Sequence, residues 1–153
     1  MTETIVLLAI LAVASIIDRR TRRLPDWLTL PLVALGLDVA AFHSPADLPW
    51  HTLGTMLGFL ALWLVAHSYR RLRGVDGLGL GDAKLLAAVG AWLGPLYLAP
   101  VVFVSALFAL VTVLLLSLSG RAISSRTVLP FGPFLSASFF LFWCFQLSGW
   151  TLF

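Results

Sequence analysis

Apolar residues run along most of this chain in blocks of about 15 to 20, and the polar and charged positions are confined to short stretches between them. Blocks of that length match the roughly 20 residues that an α-helix needs to cross about 30 Å of hydrocarbon. The pattern predicts six spans at about 3–20, 26–42, 50–69, 83–99, 100–119 and 130–149, with the fourth and fifth meeting near Pro95 and Pro100. Hydropathy alone also admits four or five spans, and the segregation of the basic residues favours six. The expected fold is therefore all-α, a polytopic membrane protein forming one domain over residues 1–153.

The basic residues give the spans a direction. All ten Lys and Arg fall in three connections: Arg19, Arg20, Arg22 and Arg23; Arg70, Arg71, Arg73 and Lys84; and Arg121 and Arg126. These are alternate connections, and the intervening ones, around HSPADLPW and GPLYLAP, hold neither Lys nor Arg. Positive residues favour the cytoplasmic side, so both termini are expected on the opposite, periplasmic face. The run from Ile5 to Ile17 is not expected to be a cleaved signal, because Glu3 and no basic residue precedes it.

Composition sharpens the picture without changing it. Of 153 residues 60% are hydrophobic and 11% charged, against about 25% charged in a soluble domain. The net charge of +3 forms no basic face with interleaved aromatics, so nucleic acid is not an expected partner and the lipid bilayer is. One cysteine, Cys144, and three scattered histidines give neither a disulfide nor a metal site. Neither metal nor cofactor is expected.

The seven acids call for separate explanations, since a carboxylate near a span centre costs roughly 2.5–3.5 kcal/mol on insertion scales. Glu3, Asp47 and Asp76 read as solvated, and Asp38 as a local polar contact at the outer end of the second span. Asp18 differs. Only a 13-residue, largely apolar run, Ile5 to Ile17, precedes it, about 20 Å of helix, so the first helix must continue past it and leave it near the inner membrane border. A plain alternative is an ion pair with Arg22, four residues on.

Asp82, between GLGLG and AKLLAAVGAWLG, has the position of a helix N-cap. That account cannot serve Asp18, which follows its apolar run at the end of a helix where the macrodipole disfavours negative charge. One arrangement explains both: with six alternating spans, the end of the first and the start of the fourth share a cytoplasmic depth. Two carboxylates meeting there share a proton, one activating water while the other protonates a carbonyl oxygen. Gly77, Gly79 and Gly81 fit as a stretch where an extended substrate strand can approach the backbone, or simply as a turn.

These residues fall in three segments that resemble type IV prepilin peptidases. GLGLGDAKLLAAVGAWLG at 77–94 resembles the family's glycine-x-glycine-aspartate segment; DRRTRRLPDWLTLP at 18–31 resembles its first aspartate segment; LPFGPFLS at 129–136 resembles a proline-glycine motif opening the last span. The resemblance implies an aspartyl endopeptidase of the bacterial inner membrane. It would remove the short basic leader of prepilins or pseudopilins at the cytoplasmic face, with Asp18 and Asp82 catalytic and Gly79, Gly81, Lys84 and Asp26 supporting. Asp26 is also the rival for the first catalytic position, and Lys84 is either a tuner of the pair or a positive-inside anchor. The long form of the family carries a cysteine tetrad and methylates the new N-terminus; with one cysteine here, methyl transfer is not expected. Two other classes stay open on the residues alone: a proton-coupled transporter using the acids as a relay, and a non-catalytic subunit of a pilus or secretion assembly.

Overall fold

The computed structural model describes residues 2–21, 24–43, 45–73, 79–119 and 130–149. Arg22, Arg23, Asp76, Gly77, Arg121 and Arg126 of the sequence argument lie outside the described residues. Within them the chain is helical, with six α-helices: α1 (Thr2–Thr21), α2 (Asp26–His43), α3 (Leu48–Arg73), α4 (Leu80–Leu93), α5 (Leu98–Leu118) and α6 (Gly132–Leu147). Short 3₁₀ turns at Pro45–Asp47 and Pro95–Tyr97 join α2 to α3 and α4 to α5.

Among the described residues, three stretches are long and apolar enough to cross a membrane: Asp26–His43, Pro45–Leu72 and Pro95–Leu118. α6 is apolar but shorter. Large side chains such as Phe103, Leu110 and Leu114 on α5, and Met56 and Leu64 on α3, stand exposed. In water so large an apolar surface would drive association; in a bilayer it is the lipid-facing surface. The chain is a membrane protein.

α4 organises the bundle. It packs against α2, α3 and α6, while α1 and α5 pack chiefly on α6. From Ala83 to Leu93 every residue but Lys84 is buried, as befits a helix that is apolar all round. Its side chains meet Leu32, Leu135 and Phe139 in the core. The Trp92 indole N–H donates to the Leu32 carbonyl at 2.8 Å, and its ring lies edge-on to Trp143 with centroids 5.1 Å apart.

The α3–α4 contact is backbone against backbone. A Cβ on Gly90 would stand 2.1 Å from the Gly54 carbonyl oxygen, and one on Gly58 would stand 2.5 Å from that of Leu86. The four-residue spacing of Gly54 and Gly58 thus matches that of Leu86 and Gly90 on the facing helix. Small residues at this spacing are the standard means of bringing two helices close in lipid, where apolar burial supplies no drive.

Two local expectations are corrected. The fourth helix ends at Leu93, not near residue 99, because Gly94 takes a φ of 84° and Pro95 cannot continue a helix. Its 14 residues extend about 21 Å at 1.5 Å per residue, so it is a short, enclosed helix. Pro100 falls instead in the first turn of α5, where its missing N–H costs nothing. At the other end, the N-cap of α4 is Gly79, and Asp82 lies within the first turn. The Asp82 N–H closes on the Gly79 carbonyl at 3.1 Å, which places the carboxylate one turn inside the helix.

Candidate active site

Four segments far apart in the chain converge where α1 ends and α2, α4 and α6 begin. Asp18 lies in the last turn of α1, buried to 6% exposure. An end-of-helix carboxylate so enclosed needs a donor, and α6 supplies it: the Gly132 N–H donates to Asp18 Oδ2 at 3.1 Å. That contact brings the charge to a helix N-terminus, which favours it, and offsets the unfavourable end of α1.

Asp82 occupies the first turn of α4, so it too sits at the favourable end of a helix. A Cβ on Gly79 would be 3.7 Å from Asp82 Oδ2, so the carboxylate folds back toward the turn that precedes the helix. Asp82 is partly exposed, and it lies near enough to Asp18 for the charge of one to act on the other. The two acids, 64 positions apart in the chain, thus lie within electrostatic range of each other.

The second segment, Leu-Pro-Asp, fixes the glycine turn in place. Leu24 is buried against Gly81, where a Cβ would stand 2.7 Å from the Leu24 Cβ and 3.1 Å from its backbone nitrogen. Gly81 is therefore required by close approach; Gly79 has no neighbour that a methyl group would strike. The Pro25 carbonyl accepts the Leu28 and Thr29 N–H groups at 3.1 and 3.3 Å and so starts α2.

Asp26, the rival for the first catalytic position, is engaged elsewhere: its carboxylate accepts from the Lys84 ammonium in an ion pair between the starts of α2 and α4. The structure places Asp26 and Lys84 with each other, whereas the sequence had treated them as separate supporting residues. Gly132 is the residue that sequence reasoning missed. Its signal was the FGP element within LPFGPFLS, noticed as a motif but with no indication that its backbone would meet Asp18.

Among the described residues, the remaining acids lie away from this cluster. Glu3, expected to be merely solvated, is in the first turn of α1 and meets His43 at 3.4 Å. Asp38 is exposed on α2 and Asp47 belongs to the 3₁₀ turn before α3. Among the described residues no group of three or more His, Cys, Asp or Glu is placed to hold a metal ion.

Fold and site together define a helical membrane protein with two acids at helix termini within electrostatic range of each other, Asp18 buried and Asp82 partly exposed. Comparison with known proteins gives the family. Residues 5–114 match the model of the type IV leader peptidase family. The chain is 44% identical over 131 residues to a protein of Burkholderia pseudomallei, covering 86% of this chain and 42% of that protein. It is 38% identical over 152 residues to one of Xanthomonas campestris pv. campestris (97% and 48%), and 37% over 150 residues to one of Neisseria gonorrhoeae (97% and 47%). All three are named prepilin leader peptidase/N-methyltransferase. The chain spans about half the length of these relatives or somewhat less, and no solved structure matches it. It belongs to the type IV leader peptidase family.

Proposed function

We propose that this chain is a membrane aspartyl endopeptidase that removes the short basic leader from type IV prepilins or pseudopilins at the cytoplasmic face of the bacterial inner membrane. Residues 1–153 form one domain of six membrane-spanning helices with both termini periplasmic. Asp18 and Asp82 are the catalytic pair, and Gly79, Gly81, Lys84 and Asp26 support them. The observation that supports the reading is that Asp18 and Asp82 lie at helix ends within electrostatic range of each other, on a chain of this family.

The chemistry follows from one proton shared by two carboxyl groups. The ionised member takes a proton from water as the water oxygen bonds to the scissile carbonyl carbon, and the protonated member gives its proton to the carbonyl oxygen. Collapse of the tetrahedral intermediate breaks the C–N bond; the first carboxyl returns its proton to the departing amine, and the second regains one from the hydroxyl. Water is the sole co-reactant. The Lys84–Asp26 pair ties α2 to α4 two residues beyond Asp82 and so limits how far that carboxylate can drift.

The basic connections of the sequence support a site at the cytoplasmic border, where a leader preceding an apolar segment would present itself. Co-expression with a prepilin tests the reading. The wild-type chain should convert it to the shorter form; Asp18→Asn and Asp82→Asn should each insert at normal levels and leave the leader attached. Normal processing by either variant would refute the assignment.

A further inference from the structure

The opening of α6 is unusual in how its N–H groups are used. The Phe134 and Leu135 N–H groups both donate to the Phe131 carbonyl at 3.1 Å, and Pro133 has none to give. The N–H of Gly132 remains, one of the groups that a helix start leaves without an intrahelical partner, and a carboxylate 114 residues away takes it. We propose that Gly132 is a positioning residue of the catalytic pair. Its backbone N–H holds Asp18 as the ionised member, the one that takes the proton from water, and leaves the shared proton on Asp82, which serves the carbonyl oxygen. This rests on the peptidase reading above.

A hydrogen bond to the charged form of an acid favours that form, and a helix N-terminus adds to it. Among the described residues, Asp82 is the charge that competes with Asp18 for ionisation. Asp82 faces Asp18 from α4; Asp26 on α2 is paired with Lys84; Arg19 and Arg20 on α1 are exposed; and the first turn of α6, Gly132 to Ser136, carries no titratable side chain. The position also demands glycine. A Cβ on residue 132 would stand 2.6 Å from Asp18 Oδ2, 2.9 Å from Cγ and 3.2 Å from Cβ, so any side chain pushes the carboxylate off its donor.

The protonation states make the role testable. If Asp18 is the ionised member, its contact with Gly132 is present in both the singly and the doubly charged pair, so only the first proton loss senses it. Gly132→Ala should then displace the acid limb of the kcat/KM–pH profile and leave the alkaline limb in place. It should also lower kcat about 100-fold with KM unchanged, the scale of effect for a carboxylate misplaced by about 1 Å. An unchanged kcat, a profile scaled without displacement, or movement of the alkaline limb alone would overturn the assignment.

A second measurement needs no turnover. In detergent, Gly132→Ala should lower the melting temperature of the wild-type chain and leave that of Asp18→Gly unchanged, because Asp18→Gly removes the atoms that the new methyl group strikes. Equal losses in both backgrounds would overturn the contact and the inference with it. A wild-type chain that shows this coupling yet cleaves no prepilin would instead overturn the peptidase reading, and the catalytic role of Asp18 with it, while the contact stands.

Discussion

At the scale of single residues, the site solves one problem twice. A carboxylate enclosed near a bilayer needs compensation that water no longer supplies, and here each acid finds it at the start of a helix, Asp82 in the first turn of α4 and Asp18 at the first N–H of α6. The arginines following Asp18 in sequence offered a simpler partner, yet the Asp18 carboxylate is turned inward to Gly132. Asp26 and Lys84 show the opposite balance. The Asp26 side chain is 62% exposed, so the pair contributes at most about 1 kcal/mol to stability once solvent screening is allowed for. Asp26→Asn is accordingly expected to shift the melting temperature by no more than that small contribution while slowing prepilin cleavage. A melting temperature lowered as much as by a core cavity would show that the pair is a pillar of the fold and not a tether of the site.

At the scale of elements, the bundle depends on the closeness of α3 and α4. Because the Gly54 carbonyl stands where a side chain at position 90 would go, Gly90→Leu must move backbone, which exceeds the about 1–3 kcal/mol typical of an overpacked core. The variant should be lost from the folded, detergent-soluble fraction, whereas Leu110→Ala on the exposed face of α5 should be recovered as wild type. Equal recovery of both would contradict the packing described. The helices themselves were legible in the sequence, because their apolar blocks are long and the polar breaks between them are sharp. The end of α4 was not. Leu96, Tyr97 and Leu98 keep the apolar run going across Gly94 and Pro95, and only the backbone dihedral at Gly94 reveals the break. The same holds for the site: the alternation of spans put Asp18 and Asp82 at one depth, but depth does not say which neighbours face inward. The Gly132 contact joins residues 114 positions apart through a backbone group, which leaves no mark on side-chain chemistry for a sequence to display.

At the scale of the whole molecule, α4 is the scaffold and the other helices present the site to it. Its buried length from Leu85 to Leu93 fixes the start of the helix, and that in turn fixes the position of Asp82 in its first turn. The proposed topology makes a separate prediction. Alkaline phosphatase fused after Asp47 or at the C-terminus should be active in the periplasm, and fused in the connection between α3 and α4 it should be inactive. The reverse pattern would turn the site toward the periplasm and away from a cytoplasmic leader.

The account stands or falls on water being split across the two carboxyl groups. The purified chain, given a prepilin in ¹⁸O-labelled water, should release a leader whose new carboxylate carries one heavy oxygen, as read by mass, while Asp18→Asn and Asp82→Asn release none. A leader freed by either variant, or a wild-type chain that leaves the prepilin whole, would contradict it.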